Sequence, residues 1–175
     1  ENGNSLNRYI YEEKKGIAHY TIENYINNER FIIHGATKTF SRNIVDFFGK
    51  LNYDSQTEDT TLTLRALLLG NYSLCFEPMI YYRVHSGNLS GESNLYKMNY
   101  RAIAKQYRTD LEKTNLDSLQ KERIANRITR YEIREELLRL PILQLLKPHN
   151  ILSLFQHNFL MRERLSIIKR SINRK

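Results

Sequence analysis

From Tyr96 to Ile172 the apolar residues recur at spacings of three and four, and this regularity limits the rear of the chain to helices. Tyr96, Tyr100, Ile103, Tyr107 and Leu111 form the first such series. Asp117 is placed to cap a second helix, with Gln120 completing a capping box. That helix carries Ile124, Ile128, Tyr131 and Leu138 and is expected to end near Pro141. After Pro148, one last helix is expected to hold Leu154, Met161, Leu165, Ile168 and Ile172 on a single face.

The front of the chain has no such uniform period. A helix is expected around Ile17 to Asn27, and Phe31 to His34 reads as a short buried strand ended by Gly35. Ser41 is an N-cap candidate for a helix bearing Ile44, Phe47 and Phe48, with Gly49 placed to stop it. After a polar loop, Asn52 to Thr57, a further helix should begin near Glu58. It carries Leu64, Leu67 and Leu68 and ends at Gly70. Glu58 and Asp59 then lie in its first turn, where the helix dipole favours negative charge. Two strands should follow, Tyr72 to Phe76 and Met79 to Val84, joined at Glu77-Pro78, before a turn-rich loop from Ser86 to Ser93. The expected class is therefore α/β, of α+β character, in residues 1–94, with an all-α extension in 95–175.

Composition narrows the partners. With 7 glycines and 3 prolines in 175 residues and no low-complexity run, most of the chain should be ordered. A lone cysteine, Cys75, excludes a disulfide framework and suits a reducing compartment. No apolar stretch approaches the roughly 20 residues of a membrane span. These features lead to the expectation of a cytoplasmic protein, and a start at Glu1 to that of a segment cut from a longer one. Residues 1–94 hold 9 Lys/Arg against 11 Asp/Glu, whereas 95–175 hold 18 against 8, so the net charge of +8 belongs to the rear. Such asymmetry points to a polyanionic partner.

Four features of the front part recur in one order. They are the small-residue loop His34-Gly35-Ala36, the acidic pair Glu58-Asp59, the leucine-rich helix to Gly70, and Tyr82-Arg83-Val84-His85 followed by Ser86-Gly87-Asn88. Singly, each has an ordinary structural meaning: a helix cap, a strand end, a turn. Together they resemble the second, acceptor-side half of the GT-A fold in inverting family 2 glycosyltransferases, of the kind that build bacterial cell-surface polysaccharide.

The resemblance implies a role for each matching residue. Asp59 corresponds to the general base, which takes the proton of the acceptor hydroxyl as it attacks the anomeric carbon of a nucleotide sugar. Glu58 would shape the same pocket or contact acceptor hydroxyls. Gly35, with His34 and Ala36, corresponds to a loop where a missing side chain lets sugar approach the backbone. His85 corresponds to a histidine that helps hold a divalent metal, Mn2+ or Mg2+, against the diphosphate leaving group. Arg83 either reaches the diphosphate or pairs with a carboxylate such as Glu77. The family's nucleotide-binding half, ending in Asp-x-Asp, has no counterpart in this sequence, so the 175 residues alone are expected not to turn over.

A second class of function rests on the tail. Arg162, Arg164, Lys169, Arg170, Arg174 and Lys175 stud an amphipathic series, a pattern that suits an anionic membrane surface, a partner protein or a merely solvated helix face. A non-catalytic binding module is the alternative this supports, and it is compatible with an enzyme held at the inner face of the cell membrane that uses a lipid-linked or glycan acceptor. Nucleic acid is disfavoured, since no nucleic-acid-binding motif is recognisable. His19, His149 and His157 lack metal-ligand spacing, Cys75 reads as a small core residue, and no phosphate loop, zinc finger or serine-hydrolase elbow occurs.

Overall fold

The structure is a computed structural model that describes residues 16–27, 37–51, 58–77, 79–81, 98–157, 159 and 161–173. It is mixed α+β and mostly helical, with a two-stranded antiparallel sheet among the described residues. The chain divides into two compact units, Glu1–Lys50 with Thr57–Leu95, and Leu51–Gln56 with Tyr96–Lys175.

In the first unit, strand β1 (Ile17–Tyr20) pairs antiparallel with β2 (Tyr72–Cys75), setting Ile17 opposite Cys75 and Tyr20 opposite Tyr72. His19 Nδ1 and Ser73 Oγ share a hydrogen bond of 2.9 Å across the pair, and half-buried Cys75 lies within the strand. The expected helix over Ile17 to Asn27 is thus corrected: only its second part, α1 (Ile22–Asn27), is helical. Local hydrogen bonding sets the break. The backbone N–H of Thr21 and its hydroxyl both donate to Asn24 Oδ1, at 2.9 and 3.0 Å, which starts the helix at Ile22 and frees the preceding four residues to pair with β2.

Helix α2 (Arg42–Phe48) follows the sequence closely. Ser41 Oγ accepts from Asn43 N, and Gly49 leaves the helix at φ 78°, a conformation that glycine adopts without a Cβ penalty. Ile44 and Phe48 are buried, whereas Phe47 is half exposed and lies off that face. Helix α3 (Glu58–Leu69) is central to the unit, with α1, α2 and β2 all packed on it. Its buried residues occupy more than one side: Leu64 and Leu67, but also Thr61, Thr63 and Arg65. Arg65 donates to the carbonyl of Gly49 at 2.8 Å and lies over the Phe48 ring, tying the end of α2 to the middle of α3.

Beyond β2, residues 79–81 form no strand, which corrects the expectation for Met79 to Val84 in its described part. All three side chains are exposed and no described strand receives them. The expected strand Phe31 to His34, the loop Asn52 to Thr57 and the loop Ser86 to Ser93 lie outside the described residues.

The second unit is all helix among its described residues. Helices α4 (Tyr100–Glu112) and α5 (Ser118–Arg139) form an antiparallel hairpin. Tyr100 N donates to Glu135 Oε2, Arg108 pairs with Glu132, and Tyr131 packs its ring on Tyr100 and Tyr107. Asp117 and Gln120 form the expected capping box, and α5 stops at Leu140 before Pro141. Short α6 (Ile142–Leu145) leads to α7 (Pro148–Gln156) and α8 (Met161–Asn173). The single last helix expected from the sequence is therefore two. Helix α8 packs on α5, where Arg134 and Glu163 form an ion pair, each only 12% exposed.

Candidate functional site

The acidic pair sits at the start of α3, as the pattern of the sequence predicts. Glu58 is exposed and Asp59 half-buried. Because the first turn of a helix leaves its N–H groups without helical partners, Asp59 turns one carboxylate oxygen back on its own helix. Oδ1 accepts from Thr60 N at 2.8 Å. The local chemistry of Asp59 is thus partly that of a helix cap, and its second carboxylate oxygen takes no hydrogen bond among the described residues.

The structure adds Lys38, a residue with no signal in the sequence. Its Nζ donates to the backbone carbonyl of Asp59 and to Thr63 Oγ1, both at 2.7 Å. Thr63 Oγ1 in turn donates to the Asp59 carbonyl at 2.7 Å. A carbonyl, a hydroxyl and an ammonium therefore close a small hydrogen-bonded ring at the first turn of α3. Burial lowers the Lys38 ammonium from its ordinary 10.5 to about 8, against the opposing pull of the Asp59 and Glu58 carboxylates. The Phe40 ring, 5.9 Å from Nζ, covers another side of it. Elsewhere on α3, Thr61 is fully buried, and its Oγ1 has no hydrogen-bond partner among the described residues.

Lys38 is two residues along the chain from Ala36. Its contact with Asp59 brings residues just after the small-residue loop against the start of α3. His34, Gly35, Ala36, Arg83 and His85 themselves lie outside the described residues. No group of three or more His, Cys, Asp or Glu side chains among the described residues could hold a metal ion. Glu58 and Asp59 alone do not make a metal site, and the metal expectation rests on His85.

No protein-family model matches the chain, and no curated protein or solved structure matches it. What the site can do is therefore argued from its own groups. It offers two carboxylates at the mouth of one helix, one of them half-buried and held by a backbone N–H, with an ammonium of near-neutral pKa fixed beside them. That set suits proton transfer from a polar ligand, with the cation balancing the negative charge.

Proposed function

We propose that the first unit carries the acceptor side of an inverting, nucleotide-sugar-dependent glycosyltransferase of GT-A type. In this reading the acceptor is a glycan or a lipid-linked sugar. Its hydroxyl oxygen attacks the anomeric carbon, its proton passes to the Asp59 carboxylate, and the bond to the nucleoside diphosphate breaks. A base positioned in this way contributes roughly 10²–10⁴ in rate.

One observation carries the reading: Lys38 joins the segment after His34-Gly35-Ala36 to the helix turn that bears Asp59. Loop and acid are the two features of the resemblance that must meet for an acceptor sugar to touch both. The Thr60 N–H supports it further, since a bond to Oδ1 holds the carboxylate at the start of a helix buried through its middle. Glu58, exposed next to it, is available to acceptor hydroxyls. Arg83 and His85 belong to the proposal as diphosphate and metal contacts, and Mn2+ or Mg2+ would supply neutralisation of the leaving group.

The test is transfer of labelled sugar from a panel of nucleotide sugars to glycan and lipid-linked acceptors, using the protein together with whatever its gene encodes upstream of Glu1. Asp59→Asn should lower kcat by roughly 10²–10⁴ while donor binding persists. Full transfer by Asp59→Asn removes Asp59 as the base. Absence of transfer and of nucleotide-sugar binding across the panel removes the glycosyltransferase reading altogether.

A further inference from the structure

The end of the second unit presents apolar side chains that the fold leaves open. On α8, Met161, Leu165, Ile168 and Ile172 recur at spacings of four, three and four, which aligns them along one line of the helix. All four are exposed, from 37% at Ile168 to 76% at Met161. The helix meets the core along a different line, through the fully buried Ile167 and Ser171. The stripe is therefore additional to the packing face. Helix α7 repeats the arrangement: Leu154 is buried, while Ile151, Leu152 and Phe155 are exposed. The two helices join at Arg164, whose guanidinium lies 4.8 Å from the centre of the Phe155 ring. Two neighbouring helices with seven exposed apolar side chains exceed the scattered singles of an ordinary surface.

Charge indicates what covers them. Residues 141–175 contain seven Lys and Arg and one acid, Glu163. That carboxylate is engaged by Arg134 and 12% exposed, so it offsets little of this charge. Lys147, before α7, and Lys169, beside the α8 stripe, are both exposed. A second copy of this face would bring like charges together, and nucleic acid would satisfy the cations but not the apolar line. An anionic bilayer satisfies both, taking apolar side chains at the acyl boundary and lysines among its headgroups.

We propose that α7 and α8 form a docking surface for an anionic lipid bilayer, on which the protein lies without crossing. None of the described helices is long and apolar enough to span a membrane. The proposal goes beyond the transfer reaction and does not depend on Asp59, so its test needs no sugar donor.

The 175-residue protein is sedimented with vesicles of phosphatidylcholine alone and of phosphatidylcholine mixed with phosphatidylglycerol, at low and high salt. Binding is expected only with phosphatidylglycerol and should weaken as salt rises. Lys169→Gln should lower vesicle affinity about fivefold. Leu165→Asp combined with Ile168→Asp should lower it about tenfold or more, and because both positions are exposed, helix content by circular dichroism should not change. Equal sedimentation with both vesicle types, none with either, or undiminished binding by the double variant overturns the proposal. So does a concentration-dependent dimer abolished by the double variant, which assigns the face to a second copy. Salt-sensitive binding to duplex DNA without vesicle binding likewise overturns it and assigns the charge to nucleic acid.

Discussion

Lys38 binds the backbone of Asp59 and not its carboxylate. The ammonium takes the carbonyl oxygen at 2.7 Å and Thr63 Oγ1 at the same distance. Neutral oxygens solvate the cation, while the carboxylates of Asp59 and Glu58 act on it only through the field. A direct ion pair would tie up the oxygen that the proposed chemistry needs, and this arrangement avoids that.

A measurable consequence lies in pH. The native Lys38 titrates at about 8, and the unfolded one at the ordinary 10.5. Between those values the unfolded chain holds more protons, so this group makes stability rise with pH across that window and contributes nothing further above it. Urea denaturation should show the rise in the wild type and a flatter profile in Lys38→Met. Acylation near pH 8 by a small reagent should label Lys38 ahead of exposed lysines such as Lys169, as read by peptide mass spectrometry. Labelling in step with Lys169 would contradict the lowered pKa.

Two threonines on α3 should respond oppositely to the same substitution. Thr63→Val removes the hydroxyl that both donates to Asp59 and accepts from Lys38, and should cost about 1–2 kcal/mol in urea unfolding. Thr61→Val removes a buried hydroxyl with no described partner, so it should be neutral or stabilising by up to about 1 kcal/mol. A loss at Thr61 equal to that at Thr63 would show that its hydroxyl is satisfied after all.

The Arg134–Glu163 pair offers a third check. Both side chains are nearly buried, and Arg134 also covers the Tyr100 ring at 4.5 Å. Glu163→Ala leaves a buried guanidinium without its counter-charge and should destabilise by about 3 kcal/mol. The double change Glu163→Leu with Arg134→Met should recover much of that loss. Additive losses in the double variant would mean that the two residues act independently.

Capping supplies the fourth. Asp117 accepts from Gln120 N at 2.8 Å, and the Gln120 side chain accepts from Asp117 N at 3.3 Å. Asp117→Ala should lower stability by about 1 kcal/mol, and Asp117→Ser by much less.

Punctuated elements were the legible ones. Ser41 and Gly49 bracket α2, Asp59 opens α3, and Asp117 with Gln120 opens α5, each through a local hydrogen bond or backbone demand that a few residues encode. Strand β1 was not legible, because Ile17–Tyr20 is a strand only by virtue of a partner some 55 positions away. Thr21 and Asn24, which set its boundary, are a local signal within the sequence. The division of the last helix was hidden by arithmetic. Leu154 and Met161 are seven apart, two helical turns, so the apolar period runs unbroken across His157 even though the helix does not. Leu154 is buried and Met161 exposed, which no periodicity distinguishes. Of the candidate site, Glu58 and Asp59 were legible as a helix start, whereas Lys38 sits between two threonines in a polar connection, and nothing there reveals a contact 21 positions ahead.

The pairing of Ile17 with Cys75 also sets an order of assembly. The sheet closes a loop that contains α1, α2 and α3, so its strands meet only after a long stretch of chain has lost its freedom. In the second unit, α4 and α5 find one another across a turn of a few residues. Low contact order favours rapid formation of that hairpin, and the long closure makes the sheet the slower event. Because α3 packs on β2, the turn that bears Asp59 and receives Lys38 gains its full support only when that closure is complete.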